Sequence, residues 1–251
     1  MLQVEHLSRS FGGVKAIDDL SFSVKAGDIH AVIGPNGAGK TTLFNVITGV
    51  YAPSSGHVRM EGDDIGGKPP ELLAKLGMSR TFQNLQVAMN LSALENVMLG
   101  AHLRLNHGVL AGMLYGRKLA RAEREAREHA REYMTFAGVE QYANAQAQGM
   151  PFGALKRLEI ARALAARPRL LLLDEPAAGL NHTDTAQISE LIQRVSKEGV
   201  TVLLVEHDMN MVMSIANRIL VLDFGKVLAE GSAQEVRSNP AVVEAYLGAM
   251  A

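Results

Sequence analysis

The sequence has no cysteine, and neither sign of charge is in excess. Its 251 residues include 25 lysines and arginines and 26 aspartates and glutamates, which gives a formal net charge of −1 at pH 7. The absence of cysteine excludes a disulfide framework, a thiol nucleophile and a zinc site with cysteine ligands, and it fits a reducing compartment. The balanced charge offers no footprint for nonspecific nucleic-acid binding, which normally needs a basic surplus or stripe. We therefore expect no nucleic-acid partner.

Long hydrophobic runs are also missing. A helix that spans a bilayer needs about 18 apolar residues or more, whereas the longest apolar stretches, at 170–173 and 200–205, have the length of buried strands. The first residues are interrupted by Glu5, His6 and Arg9, so they do not form the apolar region of a secretory signal. These features predict a soluble, cytoplasmic protein that reaches a membrane only through a partner.

The sequence does contain an ordinary globular composition, with 47% hydrophobic and 20% charged residues. Its length fits one large α/β domain or a core that carries one insertion. Apolar strands alternate with helices along much of the chain, and this order predicts a mostly parallel sheet covered on both faces. Strands are predicted at 2–6, 20–24, 28–33, 170–174 and 201–205, and helices from about 41 to Gly49, from 154 to before Pro168 and at about 183–197.

A glycine-rich segment follows the predicted strand at 28–33 and opens a helix. It reads GPNGAGKT over residues 34–41 and matches the P-loop pattern G-x4-G-K-[ST]. The glycines let the backbone pass close to a polyphosphate, and the N–H groups at the start of the helix point towards it. Lys40 can then reach the β- and γ-phosphates, and the Thr41 hydroxyl can bind Mg²⁺. The candidate nucleotide-binding residues of this loop are Asn36, Gly37, Ala38, Gly39, Lys40, Thr41 and Thr42.

Two carboxylates follow the most apolar of the predicted strands. The segment Leu170–Asp174 is four leucines and an aspartate, so it delivers Asp174 to the carboxyl edge of the sheet, where ligands bind in α/β folds. Beside a P-loop, Asp174 is a candidate Mg²⁺ ligand. Because neighbouring strand residues alternate between faces, we expect the carboxylate of Glu175 to point elsewhere and to orient an attacking water.

His207 and Gln83 carry weaker signals. His207 ends the apolar strand VLLVEH at the same predicted edge as the P-loop, which favours a contact with the γ-phosphate over a plain polar strand end. Gln83, in SRTFQN, has no local pattern that points to a function, and an ordinary loop glutamine explains it from the residues alone.

Residues from about 86 to 155 are mostly helical in composition. Within them, 117–132 reads RKLARAEREAREHARE, with Glu123–Arg127 and Arg124–Glu128 spaced as i, i+4 pairs. Because acidic and basic residues interleave, a solvated helix with internal ion pairs is favoured over an RNA- or lipid-binding stripe.

The chain resembles an ABC-transporter nucleotide-binding subunit in the order of five motifs: GPNGAGKT (34–41), FQN (82–84), RLEIARAL (157–164), LLLLDEP (170–176) and LVEHD (204–208). More narrowly, it resembles the LivG-type subunits of branched-chain amino acid importers in three shorter segments: DEPAAGLN (174–181), LVEHDMNMVM (204–213) and NPAVVEAYLG (239–248). The resemblance covers nearly the whole chain.

The resemblance implies an α/β fold in which a P-loop, RecA-like ATPase core carries an antiparallel β subdomain and an inserted α-helical subdomain. One ABC ATPase domain would then cover 1–251, with 1–85 and 156–251 as the nucleotide-binding core and 86–155 as the helical, signature-bearing subdomain. The implied cofactors are ATP and Mg²⁺. The implied function is ATP hydrolysis that energises uptake of branched-chain or other amino acids, by a chain that lies on the inner face of the cell membrane.

The resemblance also assigns roles that the residues alone do not. Gln83 becomes the Q-loop residue, which touches Mg²⁺ and relays its state to the helical subdomain, and His207 becomes the switch histidine. Phe11 would stack on adenine, although simple packing of its ring is an alternative. The candidate catalytic residues are thus Glu175, His207, Lys40 and Gln83, and the candidate metal ligands are Thr41, Gln83 and Asp174.

The implied partners are a second cassette, the same or a related one, two membrane permease subunits and, indirectly, a periplasmic binding protein. The apolar stretch 101–116 reads as either a docking surface or local core. Our hypothesis is that part of it faces the permease, so that charged substitutions at Leu110 or Leu114 uncouple ATP hydrolysis from transport.

The signature loop departs from the family pattern. Where relatives usually have Leu-Ser-Gly-Gly-Gln, this chain has MPFGA at 150–154, and its loop residues are Pro151, Phe152 and Gly153. Proline supplies neither the serine hydroxyl nor a backbone N–H. In this family the loop caps nucleotide bound to the opposite subunit, so the loss bears on the partner's site. If nothing replaces it, the loss of one donor to phosphate would weaken closure by about 1.5–3 kcal/mol.

Three other functions remain as alternatives. A metabolic P-loop kinase would share residues 34–41 but has no reason for RLEIARAL before LLLLDEP. A cassette that acts on ribosomes or DNA usually carries a second cassette or a long coiled-coil insertion, and neither is seen here. An exporter or lipid-transport cassette is closer, and only the permease that co-purifies would distinguish it.

Overall fold

The computed structural model describes residues 1–101 and 116–248, which form two β-sheets and the helices around them. The strands are β1 Leu2–Phe11, β2 Val14–Val24, β3 Ile29–Ile33, β4 Ser55–Met60, β5 Asp63–Asp64, β6 Met78–Arg80, β7 Leu170–Asp174, β8 Thr201–Val205, β9 Arg218–Asp223 and β10 Lys226–Gly231. The helices are α1 Lys40–Ile47, α2 Pro70–Lys75, α3 Ala93–Gly100, α4 Gly116–Phe136, α5 Phe152–Ala165, α6 His182–Lys197, α7 Met209–Ile215, α8 Ala233–Arg237 and α9 Pro240–Gly248.

The larger sheet has six strands in the order β10-β9-β3-β8-β7-β6. All neighbours are parallel except β9 and β10, which pair antiparallel. Every residue of β3, β7 and β8 is buried, because these strands are covered by other elements on both faces, and their sequences are mostly apolar. The predicted mostly parallel sheet is confirmed.

The smaller sheet is antiparallel, in the order β2-β1-β4-β5, as the family resemblance implied. The strands predicted at 2–6 and 20–24 are parts of a longer hairpin, whose register shifts after Val4, Leu7 and Arg9. His6 and Asp19 take positive φ angles of 48° and 57° at these irregularities. Bulges of this kind interrupt the alternation of apolar and polar residues, and the period-2 pattern therefore detected only the regular ends of the hairpin.

Helices α3, α4 and α5 pack against one another. The predicted apolar face of α5, formed by Leu155, Leu158, Ala161 and Leu164, is buried in the core. A Cβ atom on Gly100 would lie 1.9 Å from the carbonyl oxygen of Arg162, so glycine is what lets α3 approach α5 this closely. Helix α5 runs across the predicted boundary at 155/156.

The charged segment 117–132 lies within helix α4. Its Glu123–Arg127 ion pair forms at 2.9 Å, whereas Arg124 and Glu128 do not pair. The stretch 102–115, which includes Leu110 and Leu114, lies outside the described residues.

Three of the predicted site residues lie at one edge of the larger sheet. Gly34 follows β3, Asp174 ends β7 and His207 comes two residues after β8, so all three lie at the carboxyl ends of adjacent parallel strands. Helix α1 packs its predicted face, Leu43, Phe44 and Ile47, into the core on the side of the antiparallel sheet. It ends as predicted, since Gly49 takes φ +75° just beyond the helix.

Candidate functional site

The P-loop backbone requires glycine at two positions. Gly34 has φ +153°, and a Cβ atom there would lie 2.2 Å from the carbonyl oxygen of Leu222 in β9. Gly39 has φ +101°, and a Cβ atom there would lie 2.5 Å from the carbonyl oxygen of Ala16 in β2. The loop is therefore shaped by both sheets. Its outer residues, Asn36 and Gly37, are exposed.

Lys40 spans the loop from inside. Its Nζ donates hydrogen bonds to the carbonyl oxygens of Gly34 at 2.7 Å and Pro35 at 2.9 Å. Burial lowers the pKa of Lys40, and the nearby charges of Glu175 and Asp174 oppose that shift. The ammonium group thus lies over the loop and faces the acidic residues across the site.

The start of α1 offers free donors beside Lys40. Lys40, Thr41 and Thr42 are the first residues of the helix, and the N–H groups of a first turn have no acceptor within the helix. Gly39, the N-cap residue, provides no side chain to bind them. These donors, with the positive end of the helix dipole, suit a phosphate group. The N–H of Ala38, by contrast, is bonded to the carbonyl oxygen of Pro35 at 3.2 Å.

Asp174 is buried and paired with an arginine that the sequence did not single out. Its Oδ2 accepts a hydrogen bond from Nη2 of Arg80 at 2.7 Å, and the two side chains are 6% and 8% exposed. The N–H of Asp174 points at the hydroxyl oxygen of Thr81, 3.4 Å away. Both contacts come from β6 and the residue that follows it, so the neighbouring strand holds Asp174 in place.

Glu175 points elsewhere, as predicted, but for a different reason. Strand β7 ends at Asp174, and Glu175 takes a positive φ of 50°, so its direction comes from this turn and not from strand alternation. Its Oε2 accepts a hydrogen bond from Nε2 of Gln83 at 3.2 Å and lies 3.7 Å from Nδ1 of His207. Three of the four candidate catalytic residues therefore meet at one carboxylate.

Beneath His207 lies a second buried acid, Glu206. Its Oε1 accepts from the N–H of Ala177 at 2.7 Å, and its Oε2 accepts from the N–H of His207 at 3.0 Å and of Asp208 at 3.4 Å. One carboxylate thereby joins the chain after β7 to the chain after β8. It holds the two turns that carry Glu175 and His207 at a set spacing.

The donor set at this edge fits Mg²⁺. No group of three or more His, Cys, Asp or Glu that could hold a metal exists among the described residues. The candidates are a hydroxyl from Thr41, a carboxylate from Asp174 and an amide oxygen from Gln83. Mg²⁺ prefers oxygen ligands and is usually bound through one or two carboxylates together with substrate phosphates. Three protein oxygen donors, one of them a carboxylate, next to a phosphate-binding loop match this mode of Mg²⁺ binding.

Phe11 ends β1 with its ring 40% exposed. The edge of Tyr51 packs against it, with ring centroids 5.2 Å apart at 76°, and the guanidinium of Arg9 lies 4.6 Å from its centroid. The ring is thus held at the surface by two neighbours and is not part of the core.

The signature residues lie at the start of α5. Pro151 is the N-cap residue, with no side-chain hydrogen bond to the helix, and Phe152 is 47% exposed. A Cβ atom on Gly153 would lie 2.2 Å from Oδ1 of Asp184, so α6 presses closely on the loop here. Asp184 in turn is held by Nδ2 of Asn181 at 2.9 Å. Within the described residues, no hydrogen bond or ion pair joins Pro151, Phe152 or Gly153 to the P-loop.

Sequence reasoning missed Arg80 and Glu206. Arg80 stands in the quoted segment SRTFQN, and a cation at the end of a short strand beside the acidic strand was a usable signal. Glu206 stands between Val205 and His207, where a carboxylate directly after a buried strand offered a similar signal.

Comparisons with known proteins agree with this geometry. The chain matches the family model described as ABC transporter over residues 17–178, and the model described as branched-chain amino acid ATP-binding cassette transporter over residues 226–251. It is 43% identical over 249 residues to the high-affinity branched-chain amino acid transport ATP-binding protein BraF of Pseudomonas aeruginosa, covering 99% of this chain and 98% of that protein. Its identity to the corresponding protein LivG of Escherichia coli K12 is 39% over 249 residues, with the same coverage.

Solved structures agree as well. The ADP conformation of an ATP-binding cassette of an ABC transporter superposes with a TM-score of 0.86 at 32% identity, covering 99% of this chain and 98% of that one. A dimeric bacterial ABC transporter cassette superposes with a TM-score of 0.78 at 27% identity, covering 93% and 99%. The resemblance inferred from the motifs is confirmed: the chain belongs to the ABC transporter family, as one of its nucleotide-binding ATPase cassettes, among relatives named as branched-chain amino acid transport ATP-binding proteins.

Proposed function

We propose that this chain hydrolyses Mg²⁺-ATP to energise an importer of branched-chain amino acids or related solutes. The observation that carries the proposal is the convergence of Lys40, Asp174 and Glu175 at the carboxyl edge of one parallel sheet. The choice of solute rests on the names of the relatives alone. The division into a core of 1–85 and 156–251 and a helical part of 86–155 belongs to the same proposal.

Nucleotide binding would replace contacts that the loop now makes with itself. Lys40 would exchange the carbonyl oxygens of Gly34 and Pro35 for the β- and γ-phosphate oxygens, which accept more strongly because they are charged. The N–H groups of Gly39, Lys40, Thr41 and Thr42 would face the phosphates, while Asn36, Gly37 and Ala38 form the wall of the loop. Phe11 would stack on the adenine ring.

The Mg²⁺ ion would be held by the hydroxyl of Thr41, the carboxylate of Asp174 and the amide oxygen of Gln83. When bound, it neutralises charge that develops on the phosphate oxygens. Gln83 is suited to both neighbours, because its amide nitrogen already donates to Glu175 and leaves the amide oxygen available.

Glu175 would orient the attacking water and accept its proton. The hydrogen bond from Gln83 and the position of His207, 3.7 Å away, hold this carboxylate in one orientation. His207 itself is exposed and would steady the γ-phosphate. Phosphoryl transfer asks for little covalent chemistry from the protein, so positioning and electrostatics dominate.

Two cassettes would have to act together. Pro151, Phe152 and Gly153 make no hydrogen bond or ion pair with the P-loop of their own chain within the described residues, and they would cap ATP bound to a second cassette. That second cassette is a copy of this chain or a related one. Because Pro151 lacks both donors, the pair would be asymmetric if its partner carries a full signature.

A permease subunit would dock in a cleft of about 370 Å³. It lies between α2, β6 and α5, and Val50 and Phe82 line it with exposed fractions of 48% and 43%. The cleft borders the same strand that leads to Gln83, so a permease segment in it could act on the site.

No helix in the described parts of the chain is long and apolar enough to cross a membrane. Membrane attachment, on the inner face, would therefore come through two permease subunits, with the periplasmic binding protein acting indirectly.

The test is ATP hydrolysis by the purified chain with Mg²⁺, wild type beside Glu175→Gln, with oligomer size measured in the presence of ATP. We expect the wild type to turn over and the variant to lose at least about a hundredfold in kcat while it still binds ATP. A trapped homodimer would show that this chain closes with itself. Failure of the wild type to bind ATP at all would overturn the proposed function.

A further inference from the structure

Arg80 is a buried cation that the proposed reaction does not use. It ends β6, and its Nη2 lies 2.7 Å from Oδ2 of Asp174, with both side chains less than a tenth exposed. Among the described residues, Oδ1 of Asp174 has no hydrogen bond or ion pair. One oxygen of the metal-binding carboxylate is therefore occupied by the arginine, and the other is left for a metal.

The other terminal nitrogen of the guanidinium is held at the P-loop helix, whereas Nε is buried without a hydrogen-bond partner. Its Nη1 donates to Oδ1 of Asn45 at 2.7 Å and to the hydroxyl oxygen of Thr48 at 3.0 Å. The ring of Phe82 lies 4.8 Å from its central carbon and the ring of Phe44 lies 5.6 Å away. Arg80 therefore joins three parts of the site: α1 with its C-cap residue, the segment that leads to Gln83, and Asp174 at the end of β7. It cannot easily turn away from Asp174.

The electrostatic consequence concerns metal binding. A buried carboxylate without a counter-charge is strongly unfavourable, and Arg80 removes that cost before any ligand arrives. The same positive charge, close to Asp174, opposes a divalent cation that approaches alone. Lys40 adds a second positive charge on the other side, near both acids. The negative charge of a bound polyphosphate offsets the positive charges of Arg80 and Lys40, so that a divalent cation can then bind next to Asp174.

We infer that Arg80 is a positioning residue that acts as the internal counter-ion of Asp174, so that this carboxylate takes a divalent cation only together with the phosphates of a nucleotide. The inference rests on the proposed function, because it assumes that Asp174 is the metal-binding carboxylate. It assigns a role in the order of ligand binding to a residue that neither the motifs nor the catalytic set includes.

The test is Mn²⁺ binding measured by electron paramagnetic resonance, with and without ADP. The wild type should bind Mn²⁺ only with ADP. Arg80→Met, and Arg80→Gln, which keeps hydrogen bonding but not the charge, should bind Mn²⁺ at least about tenfold more tightly than the wild type in the absence of ADP. Arg80→Lys, which keeps the charge, should bind Mn²⁺ only with ADP, as the wild type does. Adding Asp174→Asn to Arg80→Met should abolish the gained site.

Two controls separate this role from a structural one. Arg59→Met removes an arginine that pairs with Glu5 on the antiparallel sheet and not with Asp174, and Ile192→Ala lowers stability from a fully buried position on α6. Both should leave Mn²⁺ binding as in the wild type. The inference fails if Arg80→Met and Arg80→Gln gain no nucleotide-free binding. If neither variant folds, binding of Mn²⁺ alone by the wild type overturns it. A chain that binds no ADP would instead refute the proposed function.

Discussion

The side-chain nitrogen of Gln83 donates a hydrogen bond to Oε2 of Glu175 across 3.2 Å, although the two residues are 92 positions apart in the chain. The glutamine follows β6, whereas the glutamate follows β7, so the bond joins two neighbouring strands at their carboxyl ends. Any movement of Gln83 would therefore shift or break a hydrogen bond to Glu175, the carboxylate that we propose orients the attacking water.

Removing this bond should slow hydrolysis more than it weakens binding. In Gln83→Ala we expect kcat to fall about tenfold to a hundredfold, because Glu175 loses the group that orients it, while the ATP affinity changes by less than about threefold. Steady-state hydrolysis and a fluorescent-nucleotide titration measure the two effects. Gln3→Ala, at an exposed position of β1, is the control. Equal losses in affinity and kcat would mean that Gln83 chiefly supports binding.

Two glycines of the P-loop should respond very differently to alanine. In Gly39→Ala the new Cβ atom would meet the carbonyl oxygen of Ala16 at 2.5 Å, and the φ of +101° is unfavourable as well. In Gly37→Ala the Cβ atom meets nothing within 4 Å, and only the φ of +81° is unfavourable.

We therefore expect the free energy of unfolding to fall by about 3 kcal/mol or more in Gly39→Ala and by about 1 kcal/mol in Gly37→Ala. Urea denaturation of both variants measures the difference. Similar losses in the two would show that the contact with Ala16 is not a constraint on the loop.

His30 should make the protein sensitive to mild acid. It lies in β3, is fully buried, and neither ring nitrogen has a hydrogen-bond partner in the structure. Burial, with a smaller effect of Arg218, lowers the pKa of His30 to about 4 from 6.5. The neutral ring is thus favoured in the folded state, so stability is complete above pH 6.5 and declines as the pH falls towards 4.

By this linkage His30 alone should cost about 2 kcal/mol of folding free energy at pH 5 relative to pH 7. Replacing it in His30→Leu should reduce the difference between urea unfolding at pH 7 and pH 5 by that amount. His182→Leu, at an exposed position on α6, should behave as the wild type. An unchanged pH dependence in His30→Leu would assign the acid sensitivity to other groups.

Pro151 can be tested by restoring its missing donors one at a time. Pro151→Ala restores a backbone N–H, and Pro151→Ser restores both the N–H and a hydroxyl. In a Glu175→Gln background we expect ATP-dependent dimerisation to strengthen stepwise, by about tenfold or more for serine. Sedimentation at several protein concentrations measures it. Serine at an N-cap also stabilises α5, so thermal unfolding without ATP should be recorded for each variant.

The parts of the site that could be predicted from the sequence are those with a local signal. Short stretches of sequence were enough to predict the P-loop, Asp174 and the change from strand to helix after β3. The side chain of Glu175 points away from that of Asp174, but through a left-handed φ that nothing in the sequence marks and not through strand alternation. Arg80 and Glu206 are charged residues at strand ends, which was a usable signal, but nothing in the sequence marked their partners: Arg80 and Asp174 are 94 positions apart, and Glu206 holds Ala177 from 29 positions away.

The fold shows the same division. Mostly apolar segments predicted β3, β7 and β8. Because these strands are buried on both faces, their predicted positions do not depend on an alternation of apolar and polar residues. The β1–β2 hairpin was only half detected, since His6 and Asp19 interrupt its alternation with bulges that are settled by pairing across the sheet. For Gln83, Phe11 and the signature residues, the sequence pattern alone did not indicate a role, and the family resemblance supplied one. The experiments above test those of Gln83 and Pro151.

The carbonyl oxygen of Ala16 lies against both Gly39 and Gly225, and Gly225 donates its N–H to Ala38 inside the P-loop at 3.0 Å. The small sheet is therefore a wall of the phosphate loop and not a separate appendage. A nucleotide that orders the loop would also restrain β2 and the turn before β10. Amide hydrogen exchange in the β1–β2 hairpin should then slow when ADP binds, even at strand positions that no phosphate reaches, and the antiparallel sheet would report the state of the site.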